Sequence, residues 1–261
     1  MKLLFLGTGA AGWSNIPYPC DERGLNRRCT SVLVDDRILI DPNHQVLDAF
    51  EAYNVDPMKI DTVLISHSHG DHFSAETLKF LADTHRIDVY GDGGYMWKLP
   101  KSENLVFHAM ERRRPFDYSF GRLTAVMSTH DVEDTEEFCL HFILERDGKT
   151  LFYGPDGGWF TGGTWYEMEL HHFDCAILDA TFGDDPTKTR FNSSHIWFYH
   201  NSLSMLKTIR QAMFDKHIID DKSVLVADHL SGYYYPNIEA CHEAFDPAGY
   251  VPAYDGMVLE I

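Results

Sequence analysis

A chain of 261 residues, 44% of them hydrophobic, can bury one large core, and no linker or low-complexity segment divides it, so a single domain over residues 1–261 is expected. A formal charge of −18 opposes a large nucleic-acid partner, whose affinity rests on Lys and Arg neutralising phosphates, and favours a small-molecule substrate. No run is long and apolar enough to span a bilayer, Gly7 breaks the opening apolar run, and the five cysteines Cys20, Cys29, Cys139, Cys175 and Cys241 are too few and scattered for a disulfide framework, so no membrane association and a cytoplasmic location are expected.

Residues 3–6 read as a strand, and residues 31–34 and 37–40 as a hairpin turning at Asp35-Asp36. A helical stretch from about Gln45 to Tyr53 precedes Asp56-Pro57, and residues 62–65 form a short strand too apolar to be anything but buried. The run His67-Ser68-His69-Gly70-Asp71-His72 starts at its C-terminal end. Residues 75–84 have helical spacing, residues 88–90 form a strand, and Arg112-Arg113-Arg114 before Pro115 reads as a solvated turn. A strand over residues 123–127 runs into Ser128-Thr129-His130, and a hairpin of residues 138–145 and 150–153 around Asp147-Gly148 leads into Gly154-Pro155-Asp156. A strand at 175–179, a helix at 202–214 and a strand at 223–227 that delivers Asp228-His229 complete the alternation, which favours a layered α/β architecture.

The same event recurs along the chain: an apolar strand ends and a His or Asp follows within a few residues, at His67, His130, Asp156 and His229. Strand ends on a rigid sheet hold side chains to the tolerance that metal coordination demands. Three imidazoles and a carboxylate within six residues offer nitrogen and oxygen donors suited to zinc or manganese. His67 and His69 can face one ion, while Asp71 and His72, further along the loop, can reach a second. Asp131 and Asp228 stand beside these candidates, as partners of ligands or as exposed caps.

The pattern His-x-His-x-Asp-His after a buried strand resembles the signature of the metallo-β-lactamase superfamily. That resemblance implies an α/β fold, a four-layer αββα sandwich, holding two divalent metal ions. It implies His67, His69 and His130 for one ion, Asp71, His72 and His229 for the other, and Asp156 between them. Two such ions about 3.5–4 Å apart activate a shared water for hydrolysis. The stretches Leu6-Gly7-Thr8-Gly9, Asp179-Ala180-Thr181-Phe182 and Tyr254-Asp255-Gly256-Met257, with His195, resemble the branch that contains tRNase Z and the phosphoribosyl cyclic phosphate phosphodiesterase. Within it His195 is expected to act in phosphodiester cleavage as a general acid, with Asp71 the other residue assigned to catalysis.

Two departures narrow the analogy. Only Cys20 and Cys29 stand in the N-terminal region, and Gly232 lies three residues after His229, so no structural zinc is expected. No basic, Gly-rich counterpart of the tRNA-clamping arm is evident. A small cyclic, sugar or nucleotide phosphodiester is the expected substrate; the alternatives are a lactone, carboxyl-ester or thioester hydrolase, and a non-catalytic metal-binding protein. Tyr233-Tyr234-Tyr235-Pro236 is a candidate pocket lining or, in a homodimer, a contact surface, with the pocket preferred.

Overall fold

A computed structural model of the protein describes residues 1–11, 27–118, 121–184 and 198–261. The first sheet contains β1 (Lys2–Gly7), β2 (Ser31–Val34), β3 (Ile38–Ile40), β4 (Thr62–Leu64), β5 (Ile87–Gly91) and β6 (Leu105–Ala109), with β14 (Val258–Glu260) at the edge beside β1. The second contains β7 (Phe116–Tyr118), β8 (Gly121–Met127), β9 (Leu140–Arg146), β10 (Lys149–Gly154), β11 (Cys175–Asp179), β12 (Val224–Asp228) and β13 (Val251–Pro252), ordered β13-β12-β11-β10-β9-β8-β7. Each sheet is half antiparallel and half parallel, the change falling at β3 in the first and at β10 in the second. Helices α1 (Val46–Ala52), α2 (Ala75–Thr84), α3 (Gly162–Met168), α4 (Leu203–Asp215) and α5 (Ile238–Phe245) supply the connections.

The period of two along each strand sorts side chains into three cores. Leu3 and Phe5 of β1, with Phe142 of β9 and Tyr153 of β10, pack between the sheets. Leu4 and Leu6 point the other way, to Val46 and Phe50 of α1 and Leu78 and Leu81 of α2. Phe152 of β10 and Leu178 of β11 face Met168 of α3, Leu206 and Ile209 of α4 and Phe245 of α5. Three interlayer cores require four layers, and their order is αββα. Each fully buried Leu, Ile or Phe contributes about 1.5–3 kcal/mol.

Local chemistry explains the boundaries. Asp35 and Asp36 both have positive φ, 50° and 56°, and with Arg37 they make the turn between the paired Val34 and Ile38. Ser74 accepts a hydrogen bond from the Thr77 amide and starts α2. The strands β6, β7, β13 and β14 and the helices α3 and α5 escape the sequence reading: α3 opens on two glycines, which favour no helix, and β13 is two residues long and contains a proline. Tyr234 and Tyr235 are buried in the core under α4 and α5, and the Tyr235 hydroxyl donates to the Phe182 carbonyl; they are packing residues, and only Tyr233 is substantially exposed. The arginine turn is exposed, with Arg114 paired to Glu111 and Arg112 lying over the Phe138 ring. Among the described residues Cys29, Cys139, Cys175 and Cys241 are free and buried, and no helix is long and apolar enough to cross a membrane.

Candidate metal centre

The ends of β4, β8, β10 and β12 converge on one edge of the sandwich, where ligand sites of α/β sheets form. The loop after β4 carries His67, His69, Asp71 and His72; the other strands deliver His130, Asp156 and His229. The structure brings all seven together in two groups that share Asp156. In one, His67 Nε2 and His130 Nε2 lie 3.0 and 3.1 Å from His69 Nδ1, and Asp156 Oδ2 is 3.3 Å from His67 Nε2. In the other, His72 Nε2 is 3.1 Å from Asp156 Oδ2, 3.4 Å from His229 Nε2 and 3.6 Å from Asp71 Oδ2, which is itself 3.6 Å from His229 Nε2.

These separations match the edges of coordination polyhedra whose metal–donor bonds are about 2.0–2.2 Å. Facing imidazole nitrogens at such distances repel through their lone pairs unless a proton or cation lies between them. Nitrogen and carboxylate donors without sulfur suit zinc or manganese, so the residues present fit two divalent ions.

On three of the histidines the ring nitrogen that faces away from the two groups is also engaged. Ser66 Oγ meets His67 Nδ1 at 3.0 Å, Asp41 Oδ2 meets His72 Nδ1 at 2.9 Å, and Thr181 Oγ1 meets His229 Nδ1 at 2.9 Å, with Asp179 Oδ2 at 3.3 Å. Such partners set tautomer and ring orientation. The backbone is under tension in the same place: Asp41, Asp156 and His229 have φ of 57°, 60° and 56°, a conformation that costs a non-glycine residue about 1–2 kcal/mol. Ser68, between His67 and His69, donates from both its amide and its hydroxyl to Glu137 Oε1. Of the two neighbouring aspartates, Asp131 is exposed, whereas Asp228 is fully buried with neither carboxylate oxygen hydrogen-bonded, and burial pushes its pKa up to about 7.

Without metal, the imidazoles divide by charge. Burial lowers His67 well below its usual range and His130 to about 4, keeping both neutral. Burial also opposes a charge on His72, but Asp71, Asp41 and Asp156 outweigh it and raise His72 to about 10. His229 is raised in the same way, chiefly by Asp156 and Asp179. Asp156 is held well below the usual carboxylate range despite complete burial by the imidazoles around it, charged His229 among them.

His195 lies outside the described residues. The histidine that the fold carries to the cluster is His200, which the sequence reading passed over. Its Nδ1 is 2.9 Å from Asp179 Oδ2 and 3.1 Å from Asp156 Oδ1, and its ring stacks on His229 at 15° with centroids 5.4 Å apart. Asp179 ends β11 within the stretch singled out in the sequence, and its Oδ1 accepts the amides of Thr181 and Asn201. That bond pins the backbone next to His200, and Ser202 then caps α4 through the Met205 amide. The available signal was this helix start: a His two residues before a capping Ser is held rigidly.

Residues 36–214 match the sequence family described as the beta-lactamase superfamily domain. A metal-dependent hydrolase of Staphylococcus saprophyticus is 28% identical over 161 residues, 52% of this chain and 64% of the relative. A ribonuclease Z of Methanococcus maripaludis is 31% identical over 117 residues, 42% of this chain and 35% of the relative. The match therefore spans less than two thirds of either curated relative. Among solved structures, zinc-bound PqqB of Methylobacterium extorquens superposes with a TM-score of 0.77 over the full length of both chains, at 16% identity, a likeness of fold. A family match over most of the chain, an αββα sandwich and ribonuclease Z among the relatives agree with the resemblance seen in the sequence: the chain belongs to the beta-lactamase superfamily and has the metallo-β-lactamase fold.

Proposed function

We propose that this protein is a metal-dependent hydrolase of a small phosphodiester, with His67, His69, His130 and Asp156 holding one divalent ion and Asp71, His72, His229 and Asp156 a second. Two ions there would supply Lewis acidity and lower the pKa of water toward neutrality. The observation that carries the phosphodiester reading is His200, seated on buried Asp179 against the cluster. With Nδ1 committed to Asp179, a protonated His200 passes its other proton from Nε2 to the departing oxygen, which a poor leaving group requires. Asp179 holds the ring in place. Its carboxyl is suited to this role: His200 and His229 outweigh burial and keep it ionised. His195 is the sequence-based candidate for the same role, and alanine variants at 195 and 200 separate the two.

A small substrate fits the charge of the chain and of the rim. Asp131, Glu133, Asp134 and Glu136 follow His130, and Glu133 Oε2 comes 3.9 Å from His69 Nε2, an arrangement that repels a polyanion. The test is turnover of bis-p-nitrophenyl phosphate and of cyclic phosphates by protein shown to carry two ions. Hydrolysis of either is expected; no turnover of both by the loaded protein overturns the phosphodiester reading.

A further inference from the structure

We infer that Tyr153, on the second sheet, is a positioning residue for the second ion, acting through Asp41 of the first sheet to hold His72 in its ligating orientation. The inference rests on the dinuclear reading above. Asp41 follows β3 and is fully buried. Its Oδ1 accepts the Ser66 amide at 2.8 Å, while its Oδ2 accepts both His72 Nδ1–H and the Tyr153 hydroxyl, each at 2.9 Å. Tyr153 is itself fully buried between the sheets, because the alternation of β10 turns Leu151 and Tyr153 inward and Phe152 outward.

One carboxylate oxygen thus serves two donors from opposite sheets. The Ser66 amide fixes one end of the carboxylate and the phenol the other, which leaves Oδ2 aimed at His72. A phenylalanine at 153 keeps the ring and its packing but removes the donor, so a lone pair of a dry carboxylate goes unpaired and one of the three bonds that fix its rotation about the bond to Cβ is lost. Loss of one donor to a buried charged acceptor is costly, and loss of the partner that orients a ligating histidine typically weakens metal binding about 10- to 100-fold. The first ion's residues have different supports, Ser66 Oγ on His67 and Glu137 on the Ser68 link. The effect should therefore fall on one ion and not on the other.

The experiment is zinc binding by chelator competition to the full chain, wild type, Tyr153→Phe, Asp41→Asn and the double variant, together with the imidazole N–H resonances of each zinc-loaded protein. Tyr153→Phe is expected to weaken the second zinc by about 10- to 100-fold, to leave the first within about twofold, and to shift or broaden the His72 Nδ1–H signal. In the Asp41→Asn background it should have little further effect, because neighbours acting in series are not additive. Equal affinities in Tyr153→Phe and wild type, equal weakening of both ions, or full additivity with Asp41→Asn each overturn the inference. Wild type that binds fewer than two zinc ions removes the dinuclear reading itself and the inference with it.

Discussion

Replacing His200 with alanine tests the proton-donor assignment on a quantity that binding alone cannot imitate. General-acid assistance contributes about 10²- to 10⁴-fold, which is about 2.7–5.4 kcal/mol of barrier at 1.36 kcal/mol per tenfold. The structure argues for the upper half of that range, because Nδ1 is fixed at 2.9 Å from a fully buried Asp179 and the ring is stacked on His229, so little orientational freedom is left to lose. The assay is kcat on two phosphodiesters that share the same retained phosphoryl ester: one with a nitrophenolate leaving group, which departs unprotonated, and one with an alkoxide leaving group, which does not. The alkoxide substrate should lose about 10³-fold or more, and the nitrophenyl substrate less than about tenfold, with zinc content unchanged. Equal losses on both substrates would refute the assignment, since they would place His200 in binding or in support of the metal. A selective loss in His195→Ala, with His200→Ala silent, would transfer the role to residue 195.

Other consequences follow from the same geometry. Asp156→Ala removes the carboxylate common to both groups, so zinc content by elemental analysis should fall from two toward none and activity with it; two retained ions would contradict a shared ligand. A Cβ at Gly157 would meet Ser128 Oγ at 2.6 Å and His141 Nε2 at 2.8 Å, so Gly157→Ala should displace the Asp156 loop, costing about 1–3 kcal/mol by thermal denaturation and weakening zinc binding; an unchanged midpoint and affinity would show that the loop yields freely. In the metal-free protein His72 is raised from 6.5 to about 10, so the stability its charge contributes is complete below about pH 6.5 and is lost as pH rises through about 10. The metal-free melting midpoint should decline across that window. A bound ion requires His72 deprotonated, so zinc affinity should rise with pH over the same range and binding should release protons, measurable by calorimetry in buffers of different ionisation enthalpy; a pH-independent affinity would argue against His72 as a ligand.

The parts of this architecture legible in the sequence are those decided locally. The hairpin at Asp35-Asp36, the capped helix after Ser74 and the buried strand before His67 carry their reasons within a few residues, and each stands at its expected place within about two residues. Elements decided by tertiary packing were not legible: β14 exists because β1 needs an edge partner, and α3, opening on Gly162-Gly163, is held by the Thr161 cap and by burial of Met168. The convergence of seven His and Asp side chains follows recurring strand ends, a regular signal. His200, Asp41 and Tyr153 are different, because their importance lies in hydrogen bonds to residues 21, 31 and 112 positions away, and no spacing rule reveals such pairs. Tyr234 and Tyr235 show the opposite error: aromatic density suggested a ligand surface where the fold needed filling.

That the candidate centre lies on the seam between the sheets bears on how the protein acquires metal. Four of its seven residues come from one short loop, but His229 lies 157 residues beyond His72, and neither half of the chain carries a complete set for the second ion. A growing polypeptide cannot offer that site until the final third has been made and its sheet has docked. Loading is then a late event that follows topology instead of guiding it, and contacts this distant in sequence form slowly. An ion bound there would join the halves at their seam, adding about 2.7 kcal/mol at a free concentration 100 times its dissociation constant, and metal supply during maturation would then bear on how much of the chain persists folded.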